Sequence, residues 1–317
     1  MILESKSFKV QSIINLADKL ENEDEIVALS IDNSGVNALI VHSPPDYDSE
    51  SENGVFSIIK SDKPKDYTFI RFDLKGYELF RTVIKEEYYN FHCVNFLPTN
   101  EILLTCARCR YKSANEIDKN ARIYSRKGEL SRDFVAGDGI NNVQIDIDGN
   151  IWISYFDEGI FGNFGWNEPL GAPGLICWNK DGSKIWEFEP IDELNYMADC
   201  YAMNIDSNNN IWFYYYTEFP LVKLDNAKQM KFWDTGIKGS SSLNISENNI
   251  LMADGYDENN FIFLAVKENK LEKVKKIKFK DEEGNALDKR SYIPSAGSNI
   301  SFFSQHKIYF TTMDQIK

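Results

Sequence analysis

Chemistry needs clustered nucleophiles, bases or metal ligands, and in this 317-residue chain such residues are few and scattered. The three histidines, His42, His92 and His306, fall in separate segments, and no pair has metal-ligand spacing. A Ser-His-Asp arrangement would have to rest on His92. Cys106-Ala107-Arg108-Cys109 is a lone CxxC. A zinc site needs a second such pair, and a redox thiol wants a helix N-terminus to lower its pKa, whereas this pair ends a predicted strand. With Cys93, Cys177 and Cys200 the cysteines number five, an odd and sparse set that indicates no disulfide framework and fits a reduced, cytoplasmic protein. There is no phosphate-cradling Gly-rich motif. These residues supply no catalytic set, no metal site and no cofactor site, and they favour binding over catalysis.

Binding is the direction in which charge points. Lys and Arg total 35 against 49 Asp and Glu, a net charge of −14. Such a field repels nucleic-acid backbones and anionic lipid surfaces and favours basic partners. The segment 1–20 lacks the pattern of a secretory leader, and no uncharged apolar run approaches the roughly 18 residues of a membrane span.

The elements that would carry a binding face are strands. With 21 Phe, 16 Tyr and 6 Trp, the composition favours β structure around a large core. One unit recurs: an apolar strand, a tight turn of Asp, Asn, Ser, Pro or Gly, and a second apolar strand. Its clearest copies are VQIDIDGNIWIS at 143–154 and MNIDSNNNIWFY at 203–214, in which Trp152 matches Trp212. Looser copies lie at 29–41, 94–105, 243–253 and 300–311. Second hairpins are read at 55–72, 121–135, 174–188, 220–233 and 261–279. Two hairpins per unit make a four-stranded propeller blade, so the expectation is an all-β, six-bladed β-propeller forming a single domain over 1–317. The sixth unit ends before its second hairpin, and the alternating segment 7–16 is expected to supply its missing outer strand and close the ring. The run KLEKVKKIKFK at 270–280 reads as the outermost strand of the fifth blade, its lysines guarding an edge. Segment 77–89 reads as an amphipathic helix in a blade link, with Leu79, Val83, Phe80 and Ile84 inward.

The D-x-x-G-N-I-W-I pattern from Asp146 to Ile153 resembles the blade motif of six-bladed propellers of the NHL, sensor-regulator-propeller and gluconolactonase-like groups. The resemblance spans nearly the whole chain at blade level and implies architecture, since fold alone does not assign function. Matched to the gluconolactonase-like motif, it implies an inner ring of Val27, His92, Asn141, Tyr201, Ser241 and Ser298, with Asp199 nearby. That ring holds none of the carboxylates a calcium site requires. Resemblance to streptogramin-inactivating lyases would call for a histidine base, and histidine is scarce.

In such blades the short turns fall on one face and the long connections on the other. Five connections of the second kind (43–54, 154–173, 190–200, 214–220 and 254–260) carry fourteen Asp or Glu and no Lys or Arg. Loop 107–120 is the exception, with Arg108, Arg110, Lys112 and Lys119. The expected partner-binding residues are Tyr155, Phe156, Asp157, Glu158, Phe161, Phe164 and Trp166, together with Tyr196, Asp199, Tyr256, Asp257 and Glu258. The aromatic loop 154–173 could plug a channel mouth, anchor an interface or form a lid over a small ligand. The sequence therefore points to a propeller that recognises a basic protein or peptide, one concrete form being an immunity or inhibitor protein for a basic toxin or nuclease. The alternatives are a small-ligand sensor or a gluconolactonase-like metal-dependent hydrolase.

Overall fold

A single type of turn organises the strands. Asp146 Oδ1 accepts the backbone N–H groups of Asp148 and Asn150 at 3.0 and 2.8 Å, fixing a tight turn. Its Oδ2 accepts the Asn150 amide at 2.9 Å and the indole N–H of Trp152 at 3.0 Å. Asp206 repeats the pattern, with the N–H groups of Asn208 and Asn210 both at 2.9 Å and the Trp212 indole at 2.8 Å. A carboxylate has the acceptor capacity to hold turn and indole together, which an amide or hydroxyl lacks. The backbone part of the turn recurs at Asp73, Asn179 and Asp281.

The computed structural model describes residues 3–44, 59–191, 193–226, 228–255, 257, 259–267 and 270–317. It is an all-β, six-bladed propeller. By internal contacts the chain divides into two units. The unit of residues 20–30 and 34–189 holds three four-stranded sheets. The first is Asp24–Ile31, Val36–His42, Lys60–Phe72 and Glu78–Tyr89; the second is Cys93–Phe96, Ile102–Thr105, Ala121–Tyr124 and Leu130–Phe134. The third is Ile140–Ile145, Ile151–Tyr155, Leu175–Trp178 and Lys184–Glu187. A two-stranded ribbon, Tyr111–Ser113 with Glu116–Ile117, rises from the second.

The unit of residues 1–19, 31–33 and 190–317 holds the other three sheets. One is Asp199–Ile205, Ile211–Tyr216, Pro220–Leu224 and Met230–Asp234; the next is Leu243–Ser246, Asn249–Ala253, Phe261–Lys267 and Lys270–Lys280. The last pairs Asn299–Ser304 with Lys307–Thr312.

Four expectations are corrected. Segment 77–89 is a strand, Glu78–Tyr89, not a helix. The inward residues are Phe80 and Ile84 at a spacing that also fits period two, while Leu79 and Val83 face outward. The β-branched pair Val83 and Ile84, with partners along Lys60–Phe72, settles the choice. Consequently 60–72 is one long strand rather than part of a hairpin within 55–72, whose residues 55–58 lie outside the described ones. The N-terminal segment serves two sheets rather than one. Ser5–Lys9 runs parallel along Lys270–Lys280, which is therefore not outermost, and Gln11–Asn15 runs antiparallel along Lys307–Thr312. Between them the N–H of Val10 donates to the Lys280 carbonyl at 2.8 Å.

Trp152 packs tilted on Trp186 at 5.3 Å, Trp212 stacks on Trp233 at 5.5 Å, and both inner rings are buried. Trp152→Ala and Trp212→Ala should each cost about 3 to 5 kcal/mol through lost burial and a residual cavity. Chemical denaturation measures this, and a loss below about 1 kcal/mol at either site would overturn their equivalence. Removing residues 1–16 uncovers the edges of both Lys270–Lys280 and Lys307–Thr312, so the truncated chain should self-associate at concentrations where the full chain does not. Sedimentation of the two forms decides it, and an equally stable, monomeric truncation would refute the role.

Candidate functional site

The aromatic loop 154–173 is folded back onto its own unit. Tyr155 ends a core strand, fully buried, its hydroxyl donating to the Ala136 carbonyl at 2.6 Å, and burial drives its phenol pKa far upward. The chain then forms a one-turn helix, Asp157–Phe161, whose start presses on residues 138–139. A Cβ at Gly159 would meet the Asp138 carbonyl oxygen at 2.3 Å, so that approach requires glycine. Further along, Trp166 is only 7% exposed, its indole N–H donating to the Cys109 carbonyl at 2.8 Å and its ring tilted on Tyr111 at 5.1 Å. Phe164 is half-buried under the guanidinium of Arg108 at 4.5 Å, with Arg110 at 5.6 Å. Of the loop's aromatics, Phe161 stays well exposed, at 64%.

Arg108 clamps this arrangement. One guanidinium nitrogen donates to Asp138 at 2.9 Å and another to Glu158, and Asp138 also accepts the Cys109 N–H at 2.8 Å. Burial pushes Asp138 up to about 6, against the opposing pull of Arg108. The other basic residues of loop 107–120 are also engaged: Lys112 with Glu116 at 2.6 Å and Lys119 with Asp133 at 2.9 Å. The basic sector expected on the loop face is thus compensated from within. Cys106 and Cys109 are buried, burial pushing Cys106 up to about 12 and Cys109 higher. Among the described residues, no group of three His, Cys, Asp or Glu is placed to hold a metal ion.

The other unit carries an open groove of about 600 Å³ lined by Asn195, Tyr196, Tyr216, Thr217, Glu218, Phe219 and Lys238. Its rim is stapled to the end of strand Ile211–Tyr216 at three points. The Tyr215 hydroxyl donates to the Asn195 carbonyl at 2.9 Å, the Thr217 hydroxyl to the Tyr196 carbonyl at 2.9 Å, and the Ala198 N–H to the Tyr216 carbonyl at 2.6 Å. Glu218 and Phe219 both hold left-handed backbone, φ 62° and 60°, which costs each about 1 kcal/mol or more in a residue with a side chain. Phe219 offsets this by burying its ring against Tyr216, Tyr201 and Tyr214, at 5.4, 5.7 and 5.8 Å. Tyr196 and Tyr216 remain 60% and 46% exposed. Asp199 lies opposite Tyr216 in the strand register.

The expected site residues therefore separate. Tyr155 and Trp166 are interior packing, Phe156 lies 5.4 Å from Arg108, and Glu158 is tied to that same cation. Asp157, Phe161 and Asp257 are exposed, and a hydrogen bond from Asn260 holds the Asp257 carboxyl below its ordinary range. Tyr256 and Glu258, and residues 45–54 of loop 43–54, lie outside the described residues. Sequence reasoning found Tyr196 but missed Tyr216, Thr217 and Phe219 as its partners. The signal available was the run Tyr214-Tyr215-Tyr216, which breaks the alternation of a strand just before an acidic turn.

With this geometry established, a six-bladed propeller bearing loop-borne acidic and aromatic groups, its relatives can be placed. A model of the YxzG family matches residues 184–311. No curated protein matches the chain. Among solved structures, a chain of the mitotic checkpoint complex aligns with a TM-score of 0.51 at 8% identity, over 93% of this chain and 78% of that one. A catalytically inactive virginiamycin B lyase from Staphylococcus aureus with quinupristin aligns at 0.45 and 13% identity, over 96% and 99%. The nidogen/laminin complex gives 0.45 and 12%, over 81% of each chain. At 8% identity the likeness to the checkpoint-complex chain concerns the fold alone.

Removing Arg108 leaves Asp138 buried without its cation. Arg108→Ala should lower stability by about 3 to 5 kcal/mol near neutral pH. With its counter-ion gone, Asp138 should titrate higher still in the folded state than in the unfolded chain. The folded form then holds the extra proton, so stability falls as pH rises through that value. The loss should accordingly be smaller at about pH 5 than at about pH 7.5. Equal losses at both, measured by denaturation, would show that Asp138 is not the group left unpaired.

Proposed function

We propose that this chain is a non-enzymatic binding propeller that recognises a protein or peptide partner, and that the partner is basic. The observation that carries this reading is the pair of exposed tyrosines, Tyr196 and Tyr216, held on a hydrogen-bonded rim beside Glu218. Large amphipathic rings on a rigid support are the residues that anchor protein interfaces, because they bury much area and lose little conformational freedom. The loops 190–200 and 214–220 contribute four carboxylates and no cation, within a chain of net charge −14. Such a field accelerates encounter with a basic surface.

On this reading the chain acts as a single propeller domain in the cytoplasm, its N-terminal strands completing the ring. Loops 190–200 and 214–220 form the working face. An immunity or inhibitor protein that neutralises a basic toxin or nuclease is the form we favour, because such a target would meet a broad acidic face and need no chemistry from its binder. The aromatic loop 154–173 serves chiefly to pack its own unit, with Phe161 and Asp157 available to a partner.

The test is capture of the partner on the full chain followed by binding kinetics. Association should slow as ionic strength rises, since exposed charges are screened over about 8 Å at physiological salt. Asp157→Asn, Asp199→Asn and Asp257→Asn together should also slow association, whereas Tyr196→Ala with Tyr216→Ala should mainly speed dissociation. In the inhibitor form, a captured toxin or nuclease should be inactive in the complex and regain activity on its release. A partner whose binding ignores both salt and these substitutions would overturn the reading.

A further inference from the structure

Resting on the protein-binding reading, we propose that the Tyr196–Tyr216 groove seats an arginine side chain of the partner, its guanidinium on the tyrosine rings and against the Glu218 carboxylate. The protein's own packing supplies the pattern. Arg122 lies 5.0 Å over the Tyr89 ring while donating to Glu87 at 3.1 Å. Arg108 lies 4.5 Å over Phe164 while donating to Asp138 and Glu158. Each is an aromatic face with a carboxylate beside it, filled by a guanidinium. The groove offers the same combination, two tyrosine rings and Glu218, but open to solvent.

Arginine fits this arrangement better than its rivals. A planar guanidinium can stack on a ring and donate in-plane hydrogen bonds at once, whereas an ammonium is a compact, strongly hydrated point charge. Lys238, which also lines the groove, would attract a carboxylate ligand. That carboxylate would, however, face the negative quadrupoles of the rings and Glu218. A purely apolar side chain would bury against the rings but strip water from Glu218 without replacing it. The stapled rim matters here, because a preorganised cage loses little entropy when one side chain enters.

The experiment is an NMR titration of the full chain with the peptide acetyl-Gly-Arg-Gly-amide and its lysine, citrulline and glutamate counterparts. The arginine peptide should shift the Tyr196 and Tyr216 ring signals and the Thr217 and Glu218 amides, with a Kd on the order of 1 mM for a single side chain. Lysine should bind about threefold more weakly, and citrulline, which keeps the shape and loses the charge, about tenfold. Glu218→Gln should weaken arginine binding roughly five- to tenfold. Tyr196→Ala with Tyr216→Ala should abolish it. Glu218 is exposed, so its variant keeps the test valid should the double tyrosine variant fail to fold.

Citrulline binding as tightly as arginine, shifts induced by the glutamate peptide, or arginine shifts lying only elsewhere on the chain would each overturn the proposal. The two readings fail differently. A captured basic partner that stays salt-sensitive but ignores Glu218→Gln and the tyrosine substitutions removes the arginine cage and leaves the binding propeller standing. Arginine peptide bound in the groove of a chain that captures no partner supports the cage and counts against the binding propeller.

Discussion

The bond between a turn aspartate and a tryptophan two residues past the turn is the interaction on which two blades are built. Asp146 and Asp206 each spend one oxygen on the backbone of the hairpin and the other on the indole of the following strand. Both carboxylates are themselves buried, so their desolvation must be met by the full set of donors around them. The same contact fixes the register of the hairpin and the orientation of the ring, and through the ring the outer strand that carries Trp186 or Trp233. Three strands are thereby tied together by seven consecutive residues. Where the tryptophan is missing, as at Asp281, the turn persists but holds no indole.

The long loops divide according to whether they find such internal partners. Loop 154–173 is rich in aromatics, yet it meets a buried arginine, the Cys109 carbonyl and a pair of glycines that allow close approach. Its rings are used in folding. Loop 190–200 meets instead the end of a strand, and the hydrogen bonds between them take up backbone carbonyls rather than side chains. Tyr196 and Tyr216 are thus held in place and still left facing water. That difference, set by whether the loop gives its side chains or its backbone to the contact, is why the candidate interface falls on the second loop.

Much of the fold could be read from period and punctuation. Strands that alternate and turns of Asp, Asn and Gly with fixed local hydrogen bonds are properties of short stretches, and they marked the six inner hairpins and several outer ones. Segment 77–89 escaped because its apolar residues satisfy a helical spacing as well as a strand spacing, and only pairing with Lys60–Phe72 decides between them. The N-terminal segment was assigned to one sheet because sequence alternation cannot reveal that Val10 hands the chain from one edge to another.

The sequence by itself determined the class of the protein: an acidic, aromatic-rich set of hairpin repeats with charge gathered in its long loops. These are sums and local patterns that survive any arrangement of the chain. Only tertiary structure decided which aromatic residues are available to a partner. Trp166 and Tyr196 are both loop-borne aromatics, but one indole reaches the Cys109 carbonyl, 57 positions away, while the other ring is 60% exposed on a backbone held by Thr217. Exposure depends on contacts between residues far apart in the chain, and such contacts leave no mark in the local sequence.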